Sequence, residues 1–545
     1  VRAVAGAALV LALLTVVQTW PLATDPAVLS RNNNGDTILN EWIVSWVVHQ
    51  LARDPLHLFD ANIFYPERHT LAYSEPLIVP ALFGMPMRAL GASPVLTYNL
   101  LLLLGFFLTA LAMYGVMFAW TGDHVAAVFA GALLAFNAHT MTRLPHLQAI
   151  HAAGVPLAFW ALDRVITSAR SRDALWLALF VITLALTSGY TAIVLAFGLL
   201  AALLARAPEW LGRRAPSVLG RLALSALVTT VVVVPILWPY REVHALHGLT
   251  RSLDDVSQYS ASPWSYLITT ARLHYDLWSR HLYQVVSFEV LFPGAVATAL
   301  SAVAMLMPGG PSSRARIRMA LAVAAIGFVL SLGPSTPVYG WMYRLFPPME
   351  GLRAAARFGY LVLFAVAVLG GFGLAALRAR WAGRRWVDAA SAAVIAIASV
   401  EAFHTHRFQE YRGIPEIYQR MAQDTAPGAV VEVPFYSRSD EHQNTRYMLA
   451  STVHWRPLLN GYSGFRPASF ARLAELMDAF PEPQTIDALR ARNVRYIVLH
   501  TGDFRRSERA REVQAALDQR PDVQLVESDQ RGRRLYRLLA GPGAS

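Results

Sequence analysis

The strongest constraint on this chain is a series of apolar runs, each long enough to cross a bilayer as a helix. They lie near residues 2–20, 95–119, 125–141, 149–165, 174–189, 191–205, 219–238, 289–307, 317–333, 358–377 and 387–403. In lipid a backbone must satisfy its own N–H and C=O groups, and a helix of roughly 20 apolar residues does so. About eleven such runs define a mainly α, polytopic membrane protein. A chain that is 55% hydrophobic and only 15% charged over 545 residues fits that solvent and no ordinary soluble one. The first run precedes Pro21-Leu22-Ala23-Thr24, faintly like a cleavage site, yet is expected to be an uncleaved first helix.

The net charge of +11 does not point to nucleic acid, because the arginines fall in short clusters between apolar runs. Arg164/Arg170/Arg172, Arg206/Arg213/Arg214/Arg221, Arg314/Arg316/Arg318 and Arg378/Arg380/Arg384/Arg385 occupy alternate loops, which assigns those loops to the cytoplasm. The loops at 21–94, 142–148, 239–288 and 334–357 then face outside, together with everything after 403. The expected location is a bacterial inner membrane with the C-terminal part outside. With no cysteine, a disulfide framework and a cysteine-based zinc site are both excluded.

Two outer segments read as built structures. In the loop at 21–94, Leu39, Trp42, Ile43, Trp46, Val47 and Leu51 recur at helical spacing, predicting an amphipathic helix with its tryptophans at headgroup depth. From 404 to 545 the pattern changes. Strand-like stretches at 430–433, 496–499 and 535–538 alternate with helical ones near 412–423, 468–479 and 505–517, predicting a small extracytoplasmic α/β domain after a membrane domain at 1–403. No Walker loop or dinucleotide fingerprint occurs in it.

A first span, a long acidic outer loop, many further spans and an outer C-terminal domain resemble the GT-C superfamily of polyprenyl-phosphate-sugar-dependent glycosyltransferases. The stretches that carry the resemblance are Asn34-Gly35-Asp36, 58–66 (Leu-Phe-Asp-Ala-Asn-Ile-Phe-Tyr-Pro), 71–75 (Leu-Ala-Tyr-Ser-Glu) and 352–358 (Leu-Arg-Ala-Ala-Ala-Arg-Phe). The resemblance implies transfer of a hexose or pentose from a polyprenyl-phosphate donor to an extracytoplasmic glycan, lipid or protein, with no cofactor. It also implies that an acidic residue of the first loop is the catalytic base, and Asp36 matches that position. The metal-dependent branch carries Asp-x-Asp there. Asn34-Gly35-Asp36 lacks the first carboxylate, so a metal-independent enzyme is expected and a divalent cation has no support.

Such a transfer needs a base for the acceptor hydroxyl and cationic or hydrogen-bonding groups for the departing phosphate. Asp36 serves as base or as the N-cap of the predicted helix, and both roles are compatible. Glu75 is a second carboxylate for the acceptor, or favours a helix start through the dipole. Asp60 shares the site or only shapes a turn. Arg353 and Arg357, four residues apart, would share one helix face and bind the donor phosphate, or anchor the next span by snorkelling. Arg143, His146 and Gln148 complete a phosphate or sugar pocket, or cap helices in a short loop. Tyr190 stacks on a sugar or belongs to the interfacial aromatic belt. His139, His146 and His151 lack metal-ligand spacing, and His404/His406 is a two-ligand fragment.

Two other function classes remain open at this point. A lipid-linked-sugar transporter or flippase needs ionisable groups at mid-membrane, whereas Asp163, Glu289, Asp388 and Glu401 fall near span ends. A non-catalytic glycan-binding scaffold would keep the same topology without the carboxylates.

Overall fold

The computed structural model describes residues 2–31, 33–248, 250–283 and 289–539. Leu249 and 284–288 of the predicted outer loop, and 540–545 of the tail, lie outside the described residues. Each apolar run is helical: Arg2–Gln18, Pro94–Thr121, His124–Ala135, Gly154–Ser168, Ser171–Ala185, Gly189–Ala205, Ala215–Ile236, Ala295–Leu306, Pro311–Ser331, Gly359–Arg380 and Trp386–Glu401. Among the described residues, five helical stretches have the length and hydropathy of a membrane span, namely Pro94–Thr121, His124–Thr142, Leu147–Ser168, Gly212–Ile236 and Ala355–Arg380.

The chain divides into two compact units. The first comprises Val1–Pro26, Asn99–Trp238 and Leu249–Phe408 and holds most of the apolar helices. Small residues let its helices approach closely. A Cβ on Gly373 would lie 1.9 Å from the Leu300 carbonyl oxygen, and one on Gly131 2.5 Å from that of Ala110. At one end of this unit the arginines are paired. Asp163 accepts from Arg206 and Arg316 (3.0 Å for the latter) and from the Trp120 indole (3.0 Å), and Glu209 bridges Arg206 and Arg318.

The second unit comprises Ala27–Tyr98, Pro239–Gly248 and Gln409–Ser545. Its sheet has the order β3-β4-β6-β5, with β3 (Ala429–Val433) parallel to β4 (Val494–His500), and β6 (Arg533–Leu538) antiparallel to both β4 and β5 (Val523–Ser528). A separate two-stranded ribbon pairs β1 (Leu29–Ser30) with β2 (Gln409–Glu410). The edge strand β5 escapes a hydropathy reading because Gln524, Leu525 and Val526 are all exposed along it. Val431, Val433, Ile497, Leu499 and Tyr536 pack with Leu473, Ile486 and Val513 from the covering helices.

The first loop is woven into this unit by backbone hydrogen bonds. Leu458 N–H donates to Asn62 O (2.7 Å), Tyr65 N–H to Leu458 O (3.0 Å) and Phe64 N–H to Asn460 O (3.3 Å). The predicted amphipathic helix exists as Gly35–Arg53, but every residue from Thr37 to Val47 is buried. Trp42 and Trp46 are 1% and 5% exposed, and the Trp46 indole donates to Leu58 O (2.9 Å). They pack inside protein, which corrects the headgroup placement. Trp455 covers the helix, stacking on His49 at 4.1 Å and packing on Trp46 at 5.8 Å.

Candidate functional site

In the first unit a pocket forms where helices break. The stretch His124–Ala135 stops, Asn137 caps the short helix Ala138–Thr142 by accepting from Thr140 N–H (2.9 Å), and a turn leads through His146 to Leu147–Ile150. A second break precedes Gly189–Ala205, where the Ser188 hydroxyl accepts from Thr191 N–H (3.1 Å). Arg143, His146, Gln148, Tyr190 and Arg357 all line this pocket, with His139, Ser188, Thr191 and Tyr360 completing it. Five of the residues singled out in the sequence, from three separate stretches, thus share one cavity. Its cavity volume is about 50 Å³. A single water needs about 10–15 Å³, so the cavity has room for a small group such as a phosphate.

The pocket is cationic and its cations are held from behind. Arg143 pairs with Glu289 at 2.6 Å, so its fork is fixed although its charge is shared. The Arg357 guanidinium lies over the Tyr190 ring, 4.2 Å from its centroid. The Tyr190 hydroxyl in turn accepts the backbone N–H groups of Arg353 and Ala354, the latter at 2.8 Å. Tyr190 therefore acts as a strut between the chain before Arg357 and the Arg357 side chain. Burial, with the charges of Arg357 and Arg143, pushes His146 down to about 3, leaving a neutral imidazole at physiological pH.

Two further features favour an anion. The N-terminus of the 17-residue helix Gly189–Ala205 opens on the pocket, bringing the partial positive charge of the helix dipole. His139 and Gln148 are 4% and 8% exposed, and His139 Nδ1 and Gln148 Oε1 have no hydrogen-bond partner among the described residues. Buried polar atoms of this kind are costly unless a ligand or water meets them.

Arg353 departs from the helical reading. It is exposed in extended chain ahead of the 3₁₀ turn Ala355–Phe358, stacked on Tyr259 at 4.3 Å, and does not line the pocket. The Leu352-Arg353-Ala354 segment is held open by the Tyr190 hydroxyl, so the two arginines share no helix face. His139 was weighed only as a metal ligand, and Glu289, Ser188 and Thr191 had no pocket role in the sequence reading. Of these only Ser188 had a local signal, a serine ahead of an apolar helix start.

The carboxylates lie in the second unit. The helix Gly35–Arg53 is capped by Asn34, whose Oδ1 accepts from Asp36 N–H at 2.9 Å. Asp36 is thus one step inside the first turn and is not the cap, which removes the capping alternative. The Tyr462 hydroxyl donates to Asp36 Oδ1 at 3.2 Å. Glu75 sits outside regular secondary structure before the helix Ile78–Ala89, within electrostatic reach of Tyr240. Asp60 shapes a turn. It accepts from His69 N–H (2.9 Å) and holds the left-handed turn there, while His69 Nε2 contacts Glu242 at 2.9 Å. Among the described residues no group of three His, Asp or Glu side chains is arranged to hold a metal ion.

Glu41, one turn beyond Asp36, is fully buried and accepts from the Ser30 hydroxyl at 3.0 Å. Burial raises its carboxyl from the usual 4.5 to about 8. The folded state therefore holds a proton that the unfolded chain releases above pH 4.5. This stabilisation is complete below 4.5 and declines by about 1.4 kcal/mol per pH unit as pH rises toward 8. Thermal unfolding of Glu41→Gln between pH 5 and 9 should lose this alkaline decline. An unchanged pH dependence would mean that Glu41 is ionised in the fold.

The fold is similar to that of solved proteins that include a glycosyltransferase. Two solved forms of a mutant of arabinofuranosyltransferase AftD from Mycobacteria superpose with TM-scores of 0.63 and 0.59 at 16% identity. They match 99% of this chain and 42% and 41% of the AftD chain, so this chain spans about two fifths of that length. ArnT from Cupriavidus metallidurans, solved bound to undecaprenyl phosphate, superposes with a TM-score of 0.50 at 14% identity, matching 99% of this chain and 98% of that one. At such identities the likeness is one of fold. No protein-family model and no curated protein matches the sequence.

Proposed function

We propose that this protein is a membrane glycosyltransferase that moves a sugar from a polyprenyl-phosphate donor to an extracytoplasmic glycan, lipid or protein acceptor. The observation that carries the reading is the pocket of Arg143, Arg357 and His146 at a helix N-terminus, phosphate-sized and bordered by apolar spans. Solved proteins of similar fold include an arabinofuranosyltransferase and ArnT bound to undecaprenyl phosphate, which supports the donor class. In the reaction the acceptor hydroxyl gives its proton to the Asp36 carboxylate and its oxygen bonds to the anomeric carbon. The bond from that carbon to the donor phosphate breaks, and the phosphate leaves with the electron pair. Arg357, Arg143, His146 and Gln148 neutralise and hydrogen-bond the leaving phosphate. Asp36 is the base, and Glu75 orients the acceptor. The chemistry proposed for these residues uses no metal.

Sidedness rests on the arginines. The helix Gly189–Ala205 has the pocket at its N-terminus and Arg206 of the ionic cluster just past its C-terminus. Seventeen residues span about 25 Å, so pocket and arginine cluster belong to opposite faces of a bilayer. With the cluster in the cytoplasm, the pocket opens outside. A transporter is disfavoured, because the buried carboxylate of Asp163 is already neutralised at the cluster end.

The test is donor binding by purified protein in nanodiscs, with undecaprenyl phosphate as the probe. Arg357→Gln should weaken binding by roughly 10- to 100-fold, the worth of a charge-assisted hydrogen bond. Arg353→Gln, outside the pocket, should change it less than threefold. Wild-type affinity in Arg357→Gln would refute the phosphate site.

A further inference from the structure

The segment 461–466 (Gly-Tyr-Ser-Gly-Phe-Arg) is seated on the first loop with almost no slack. A Cβ on Gly461 would lie 2.6 Å from ring atoms of Phe64, and one on Gly464 would lie 2.8 Å from the Tyr73 carbonyl oxygen. Only glycine permits either approach. Just before the segment, the Asn460 amide donates to Glu432 O (3.0 Å) and Asn444 Oδ1 (3.2 Å), tying the chain to strand β3. Within it, the Phe465 ring packs edge-on against Tyr73 at 5.3 Å and against His247 at 5.2 Å, and Arg466 reaches Glu441 at 3.4 Å. Tyr462 is therefore presented from a backbone fixed on both sides.

Its target is fixed independently. Gly35 lies against His442, where a Cβ would come within 3.1 Å of the His442 Cβ and 3.3 Å of its carbonyl oxygen. The Asn34 cap sets the helix start. Between these two supports the Tyr462 hydroxyl donates to Asp36 Oδ1 at 3.2 Å. That is long for an O–H···O bond, as catalytic hydrogen bonds often are before substrate binds.

We propose that Tyr462 is a positioning residue for sugar transfer, holding the Asp36 carboxylate in the rotamer that meets the acceptor hydroxyl. A carboxylate offers about four lone-pair positions, so a phenol bond to one oxygen orients the group without using the position that takes the acceptor proton. The inference rests on the reading of Asp36 as the base. It adds that a residue 426 positions away in the sequence is required to aim it.

Steady-state transfer from a polyprenyl-phosphate sugar tests it. Tyr462→Phe keeps the ring and its packing, so the melting temperature should be unchanged and the KM for donor should stay within twofold while kcat falls about tenfold. Asp36→Asn is assayed alongside. Inactive Asp36→Asn with wild-type kcat in Tyr462→Phe would overturn the positioning role and leave the base reading intact. Wild-type kcat in Asp36→Asn would remove the base reading, and this inference with it. A Tyr462→Phe loss confined to KM, or accompanied by a lowered melting temperature, would also overturn it.

Discussion

Asp36→Asn is expected to lower the rate of sugar transfer by about 10²- to 10⁴-fold, the usual worth of a positioned general base, with donor affinity unchanged. The substitution is nearly isosteric, and the amide Oδ1 can still accept from the Tyr462 hydroxyl that now meets the carboxylate. Because Asn34 caps the helix Gly35–Arg53, loss of the Asp36 charge leaves the helix start in place. Transfer kinetics and undecaprenyl phosphate binding, measured on the same preparation, separate the two effects. Retained activity would remove Asp36 from the mechanism.

Asp163→Ala should cost about 3–5 kcal/mol of stability, the penalty for stranding a buried charge by deleting its partner. Asp163 and Arg206 are each only 2% exposed, and Arg316 and the Trp120 indole converge on the same carboxylate. Truncation would leave the Arg206 guanidinium with Glu209 alone, at the edge of an apolar bundle. Replacing both members at once, Asp163→Leu with Arg206→Met, should restore much of the loss, since a packed apolar pair is often no worse than a buried ion pair. Thermal and denaturant unfolding in detergent would report both variants. A loss below about 1 kcal/mol in Asp163→Ala would mean that the cluster is solvated and behaves as a surface network.

Helix positions were legible because hydropathy is a local property. Each predicted run is a helix, and boundary errors of a few residues arise where breaks carry polar caps such as Asn137 and Ser188. Pocket membership was partly legible. Arg143, His146 and Gln148 stood out as polar residues in a short apolar-flanked loop, whereas His139 and Glu289 belong to the pocket wall and its support through contacts distant in sequence. Arg353 was misplaced because an i,i+4 spacing has meaning only on a helix. The Tyr190 hydroxyl instead binds the backbone at 353 and 354 and keeps that segment extended.

The sequence by itself determined the apolar character of the chain and the positions of its apolar helices, since each depends on the free energy of transferring a short segment between water and lipid. Tertiary structure alone decided that 62–65 hydrogen-bonds to 458–460, that Trp42 and Trp46 are buried in protein, and that Tyr462 meets Asp36. Those outcomes depend on which distant surfaces are complementary, and a window of neighbouring residues holds no information about a partner several hundred positions away.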